Sequence, residues 1–527
     1  MEAFLNSIGY SSWVLHFLLL FPLVGMAAVF LAPAERAKYV AFGASLVELV
    51  VSLPIWSAFN AASGAFQFTM DAPLDWIPAW GIHYHVGIDG ISVLLLLLTT
   101  VMMPIALLGS FRYIQTREKT FYSMMLLLET GVVGVFVALD VFLFFMFWEL
   151  MLVPMYFIIG IWGGERRIYA AIKFFLYTAV GSLLMLVGIL YLVFKFQAQT
   201  GELSFLYTDL LNVSLTFREQ VWLFAAFALA FLIKVPVFPF HTWLPDAHVE
   251  APTPGSVILA AVLLKMGAYG FLRFLLPMFP QAATHPTIVT VLLVLGLIGV
   301  LYAAWVAAVQ PDAKKLIAYT SVAHMGFVVL GIFALTVQGV QGGMIIMLSH
   351  GASTGAMFLL LGMLYERRHT RQISEFGGLA SVMPAFAAVF VLTALASIGL
   401  PGTSGFVGEF LALLGTFQTH PWIATFAAMG VIFAAYYMLP MVQKIIFNAL
   451  DKKENTDLPD LSRREMAVLA PLVALMIWIG VYPKPFLERM EVTVVELLQD
   501  VDQRRLVNPP PLGELIGSRS FDGLSDR

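Results

Sequence analysis

Apolar runs long enough to cross a bilayer recur along almost the whole chain, and no other feature constrains the fold as tightly. A helix of about 20 apolar residues spans the hydrocarbon core of a membrane. Windows of that length fall at 12–32, 37–57, 88–109, 120–139, 141–162, 168–194, 221–240, 255–276, 287–309, 314–335, 340–364, 381–418, 422–446 and 465–484. The twelfth is too long for one plain helix. Of the 527 residues, 60% are hydrophobic and 12% charged, against roughly 45–50% and about 25% in soluble domains. One water-soluble core cannot absorb that much apolar surface, whereas helices satisfy their own backbone groups in lipid. The expected fold is an all-α polytopic membrane protein with about fourteen transmembrane helices.

The weakest boundary lies between the fourth and fifth windows, where Asp140 is the only polar break. Merging the two would reverse the orientation of everything downstream, so loop charges test the split. With the N-terminus outside, 18 of the 29 Lys and Arg residues fall on inner connections and helix ends. Only Lys195, Arg218 and Arg273 fall on outer ones. That asymmetry obeys the positive-inside rule and puts both termini on the outer, periplasmic side. The 58–87 connection has no Lys or Arg but carries Trp76, Trp80 and Tyr84, which fits an aromatic cap on the outer face. The N-terminus lacks the basic stretch of a cleavable signal peptide, so the first run is expected to remain as a helix. From about Pro485 the chain turns polar, and a peripheral or partly disordered tail is expected. A net charge of −4 argues against nucleic acid as a partner. The absence of cysteine removes disulfides, zinc–thiolate sites, thiolate-bound iron–sulfur clusters and thiol nucleophiles together.

Ionisable side chains at mid-depth in such helices are costly, about 2.5–3.5 kcal/mol each on insertion scales, and they usually face a bundle interior, a partner or water. Six stand near the middle of their spans: Glu149, Lys234, Lys265, His324, His350 and Glu409. Glu48 and Glu129 are also intramembrane but lie nearer span ends or stand singly, and Glu129 is kept as a candidate for proton access. Burial disfavours the charged forms of both Lys and Glu, and pairing restores them. Glu149 near Lys234 would therefore be a tunable pair, and the two histidines suit intermediate relay positions. Buried ion pairs that merely hold helices together are the plainer explanation for any one pair. Six such groups at matched depth favour a proton relay, because structural glue rarely needs so many costly sites.

Two spans are interrupted. Pro236 and Pro239 follow Lys234 closely, and a proline removes a backbone donor and clashes with the preceding turn. Gly399, Pro401, Gly402, Gly405 and Gly408 crowd the stretch before Glu409, so the twelfth span cannot stay regularly helical. Irregular backbone at membrane depth is tolerated only inside protein or beside a cavity, and matched broken helices point to an ion-transport site. The breaks are five spans apart. Five is odd, so helices 4–8 and 9–13 would form two inverted five-helix repeats. The expected division is 1–119 for the first three helices, 120–276 and 287–446 for the repeats, 465–484 for helix 14 and 485–527 for the tail. Between the first break and the eighth span, His241, Asp246, His248 and Glu250 sit within ten residues. Zinc is one reading of such a set, but the prolines argue against a common ligand face. A polar, inward-facing loop gating access to Lys234 and Lys265 is preferred, with His241, Asp246 and His248 as access residues. No dinucleotide or nucleotide-triphosphate fingerprint appears.

These segments together resemble the antiporter-like subunits of respiratory complex I, the proton-pumping NADH–quinone oxidoreductase, and those of multisubunit sodium/proton antiporters. The resemblance runs to about residue 484. It is carried by Phe147, Trp148, Glu149 and Pro154, by the stretch from Lys234 to Ser256, by Lys265 to Gly270, by Ser321 to Gly326, and by Leu348 to Gly351. The chain is most similar to the M-type branch, because Glu409 stands where L- and N-type relatives carry lysine and no long lateral helix is expected after helix 14. The resemblance implies Glu149 and Lys234 as a coupling pair, Lys265 as the central relay lysine, and His324 and His350 passing protons towards Glu409. It implies a subunit with no redox centre of its own. NADH, FMN, iron–sulfur clusters and quinone are then expected in partner subunits, and the L- and N-type subunits and the lipid of a bacterial inner membrane as surroundings. A subunit of a sodium/proton antiporter without a redox partner is the alternative.

Overall fold

The computed structural model of the chain describes residues 2–70 and 72–507. Its helices, in chain order, begin with α1 (Tyr10–Leu31), α2 (Ala34–Ala58), α3 (Val93–Ser110), α4 (Glu118–Val137), α5 (Val141–Trp162) and α6 (Arg167–Thr200). They continue with α7 (Phe217–Lys234), α8 (Trp243–Glu250), α9 (Thr253–Met278), α10 (Pro286–Ala308), α11 (Ala313–Phe333) and α12 (Val337–Arg368). The last are α13 (Pro384–Ser397), α14 (Ser404–Thr419), α15 (Pro421–Phe447), α16 (Arg463–Val481) and α17 (Lys484–Val507). Among the described residues, 12 helices are long and apolar enough to cross a membrane. The seventh expected span is interrupted, since α7 ends at Lys234 and α8 follows in the connection after it, and the twelfth is divided into α13 and α14.

The doubtful boundary at Asp140 is a helix start. Its carboxylate accepts from the backbone N–H groups of Phe142 and Leu143 at 2.9 and 3.0 Å, and from His83 N–H at 3.0 Å. Capping satisfies donors that the first turn of α5 leaves free, so one buried aspartate can separate two helices in an otherwise apolar run. Thr216 and Ser462 open α7 and α16 with reciprocal capping boxes to Glu219 and Glu465.

Burial sorts the helices into a centre and a rim. The most apolar stretches of α9 and α12 are 100% buried and that of α11 is 94% buried, against 28% for α2 and 33% for α15 and α16. Rim helices turn large apolar side chains outward, among them Val24, Leu183, Trp222 and Trp422. Water would not tolerate so much exposed apolar surface, and a bilayer does. Arg367 of α12 grips Glu465 of α16 with two N–H groups at 2.8 and 2.9 Å, the bidentate geometry that makes such pairs strong.

Three regions differ from the sequence reading. The expected aromatic cap contains a two-stranded antiparallel hairpin, β1 (Leu74–Ile77) and β2 (Ile82–Tyr84), so the fold is not purely helical. The His241–Pro254 connection is not a loop, because α8 occupies most of it. The first part of the tail is the long helix α17, whose Phe486, Met490, Val494 and Val501 are buried along one face. Arg489 anchors it through Trp56 O, and Thr493 Oγ accepts from Gly90 N–H. The tail beyond Val507 lies outside the described residues.

Candidate functional site

The three most buried helices carry the middle of the row. Lys265 on α9 donates from Nζ to His350 Nδ1 on α12 at 2.8 Å, and also to the carbonyl of Ala260. The His350 ring stands 5.7 Å from the His324 ring on α11, centroid to centroid. His324 Nδ1 lies 3.0 Å from Glu409 Oε1 on α14. Lys265, His350, His324 and Glu409 thus form one nearly continuous line through four helices. Because a Lys ammonium only donates, His350 Nδ1 must accept, and a neutral His350 carries its proton on Nε2. That Nε2 is buried and has no protein partner. His324, His350, Glu409, Ser349, Ser353 and Ser397 border a cavity with room for about one water.

Both ends of this line are shaped by irregular backbone. In α9, π-helical turns at Leu259–Leu263 and Phe271–Leu275 flank Lys265, and the first contains Ala260. Such turns often accompany functional sites, and no sequence signal marked them. At the other end the chain between α13 and α14 passes through Gly399 with φ of +77°. A Cβ at Gly399 would stand 2.8 Å from Glu409 Oε2, so glycine there serves both the left-handed turn and the close approach of the carboxyl. Ser349 of α12 and Ser404 of α14 share a hydrogen bond of 2.8 Å beside the break.

Glu149 and Lys234 form a second, looser group. They interact electrostatically, but among the described residues they make no ion pair in direct contact. Lys234 Nζ points at Met151 Sδ, 3.1 Å away, and lies over the rings of Trp148 and Phe174 at 5.5 and 5.7 Å. Polarizable sulfur and ring faces stabilise a cation only modestly, which leaves the amine sensitive to Glu149. Met151 was not identified in the sequence, where a methionine in an apolar run carries no signal. The break after Lys234 is stitched by Trp243, whose indole N–H donates to Ile233 O at 2.9 Å.

Of the remaining candidates His248 interacts electrostatically with Lys265 and His350, and the others stand apart from the line. Asp246 is held by Lys173 of α6 at 2.7 Å. His241 stacks on Phe238, and His248 stacks on Phe358 at 4.6 Å with neither ring nitrogen bonded. No group of three or more His, Asp or Glu suited to a metal ion occurs among the described residues. Glu129 does not join the row. It faces Glu48 of α2 instead.

Residues 138–435 match the family model described as NADH:quinone oxidoreductase/Mrp antiporter, transmembrane. The chain is 47% identical over 477 residues to NADH-quinone oxidoreductase subunit M of Rhodobacter capsulatus, covering 89% of this chain and 92% of that protein. It is 42% identical over 488 residues to NADH-ubiquinone oxidoreductase chain 4 of Marchantia polymorpha, covering 92% and 96%. Its structure resembles a chain of respiratory complex I from Thermus thermophilus with bound NADH, with a TM-score of 0.84, 32% identity and coverage of 93% and 99%. The Mrp complex from Dietzia sp. shares the fold at a TM-score of 0.78 and 20% identity, over 93% and 99% of the two chains.

Proposed function

The chain belongs to the NADH:quinone oxidoreductase/Mrp antiporter transmembrane family, and from that premise we propose that it is the M-type, proton-translocating membrane subunit of an NADH–quinone oxidoreductase. The observation that carries this reading is the line Lys265–His350–His324–Glu409, with its spacings of 2.8, 5.7 and 3.0 Å. Protonated Lys265 is already bonded to the acceptor nitrogen of His350. Transfer makes His350 an imidazolium, whose Nε2 proton can leave through the one-water cavity towards His324. His324 then hands a proton to Glu409 across their hydrogen bond. Glu149, by drawing near to or away from Lys234, sets how firmly that amine keeps its proton before the line fires.

In this reading the chain is a translocase subunit without a redox centre. NADH, FMN, iron–sulfur clusters and quinone are bound in partner subunits, and the lack of cysteine agrees with that division of labour. The L- and N-type antiporter-like subunits are its membrane neighbours. The two interrupted spans bring the crossings to fourteen, the segments 120–276 and 287–446 are inverted five-span repeats, and both ends of the chain face outward across a bacterial inner membrane. The loop-charge asymmetry supports that orientation. The antiporter alternative is weaker, since the Mrp likeness is one of fold while the subunit M and chain 4 relatives share more than two fifths of their residues with this chain. His324→Ala, which cuts the line in the middle, tests the proposal. Membrane vesicles carrying the assembled variant should oxidise NADH with an artificial acceptor at the parent rate and lose quinone-linked proton pumping. Parent-like pumping would overturn it.

A further inference from the structure

Glu48 and Glu129 are both fully buried, at 0% exposure, and none of their four carboxyl oxygens receives a hydrogen bond from any donor. Each lies within hydrogen-bonding reach of the other, and neither has another charged neighbour among the described residues. The helices aim them together. On α2, Ser45, Glu48 and Ser52 recur three and four residues apart on one buried face, and Ser52 Oγ meets Thr100 Oγ1 of α3 at 2.8 Å. On α4, a Cβ at Gly131 would stand 3.1 Å from Met151 Cβ, and one at Gly134 would meet the Phe147 ring, so that face packs on α5. Glu129 precedes Gly131 by two residues, about 200° around the helix, and therefore looks the other way, towards α2.

Nothing packed around the pair supplies a counter-charge. On α1, His16 is bonded to Tyr84 and Tyr10 to Val51 O. α3 has no ionisable side chain. Glu149 of α5 interacts with Ser182 and Lys234 instead, and Lys265 of α9 is turned to His350. Two ionised carboxylates cannot face each other in such a site, and a hydrogen bond between two carboxyls exists only when one of them is protonated. A metal cation would want more oxygen ligands than the pair provides.

We propose that Glu48 and Glu129 form a carboxyl dyad holding at least one exchangeable proton between α2 and α4, a protonation site separate from the row of Glu149 to Glu409. A shared proton gives each carboxyl a partner that no other group supplies, and it gives α2 and α4 a titratable site of their own.

Infrared spectroscopy of the assembled complex tests this through the C=O stretch of a protonated carboxyl. The parent should show a buried-carboxyl band that shifts in heavy water and is unmoved by sodium. Glu48→Gln and Glu129→Gln should each shift that band, and the double variant should lose it. An unchanged spectrum in the double variant would overturn the dyad, as would a band that titrates away with sodium ions, the mark of a cation site. Should the double variant fail to assemble, the single variants decide, because an unshifted band in both is equally fatal.

Discussion

Lys265 and His350 meet across 85 residues of sequence, with the lysine Nζ 2.8 Å from the histidine Nδ1. The contact fixes which ring nitrogen can accept and which must release. It also ties together α9 and α12, the two helices wholly withdrawn from the rim. A proton donor and its acceptor are thus held in register inside the most buried part of the bundle, and both ends of the line, Lys265 and Glu409, sit beside π-helical or broken backbone.

Position 265 needs a cation that can become neutral. Arginine keeps the charge and can reach His350, but its guanidinium effectively never deprotonates. Lys265→Arg should therefore assemble and yet pump at least about tenfold more slowly, equivalent to ~1.4 kcal/mol on the limiting barrier. Proton uptake into membrane vesicles, compared with NADH oxidation by an artificial acceptor, reads the difference. Full pumping in the arginine variant would mean that Lys265 acts only as a fixed charge.

The looser group makes a different demand. Glu149→Ala removes the charge that acts on Lys234, and should depress quinone-linked turnover and pumping together while the complex stays assembled. Met151→Leu nearly conserves volume but deletes the sulfur that accepts from Lys234. It should slow pumping severalfold, and Met151→Gln, which restores an acceptor, should recover part of the loss. A leucine variant indistinguishable from the parent would show that the sulfur contact is incidental.

The apolar spans, the six ionisable groups within them and both breaks are legible in the sequence because each is a local signal: an apolar run, a charge inside it, a proline or glycine cluster. The partners are not. Glu48 and Glu129 lie 81 positions apart, and nothing local says that α2 and α4 bring them together. The π turns around Lys265 use ordinary helix-forming residues, so composition does not mark them. The helix α17 was passed over because its polar face dominates the average, although Phe486, Met490 and Val494 already show the four-residue spacing of a buried stripe. The same weighting of polarity and proline over periodicity turned α8 into a loop.

Gly399 tests the break in the twelfth span. Alanine there must adopt φ of +77° and place its Cβ 2.8 Å from Glu409 Oε2. The left-handed conformation alone costs about 1–2 kcal/mol for a residue with a side chain, and the carboxyl has to move. Gly399→Ala should lower the thermal stability of the detergent-solubilised complex slightly and reduce pumping strongly. Gly402→Ala shares the left-handed φ, at +90°, but meets nothing within 4 Å. It should show the stability loss with pumping largely kept, and equal pumping in the two variants would separate Gly399 from the Glu409 site.

Glu409 ends the line and carries the clearest test. Its Oε1 lies 3.0 Å from His324 Nδ1, and it sits in the helix that follows the break, next to the one-water cavity. Moving a proton outward from there opposes the membrane potential by about 2.3 kcal/mol per charge for each 100 mV. A group in that place has to change charge with each cycle, since a permanently neutral one cannot take up the proton and a permanently ionised one cannot release it. Glu409→Gln keeps the shape and can still accept from His324, but it cannot ionise, so the complex should assemble and pump far more slowly than the parent. Glu409→Lys should retain more activity than the glutamine variant. A lysine there would face His324 Nδ1 much as Lys265 faces His350 Nδ1, repeating a donor–acceptor pair the chain already uses. Pumping measured in vesicles at matched complex content ranks the three proteins, and a glutamine variant that pumps like the parent would remove Glu409 from the proton path.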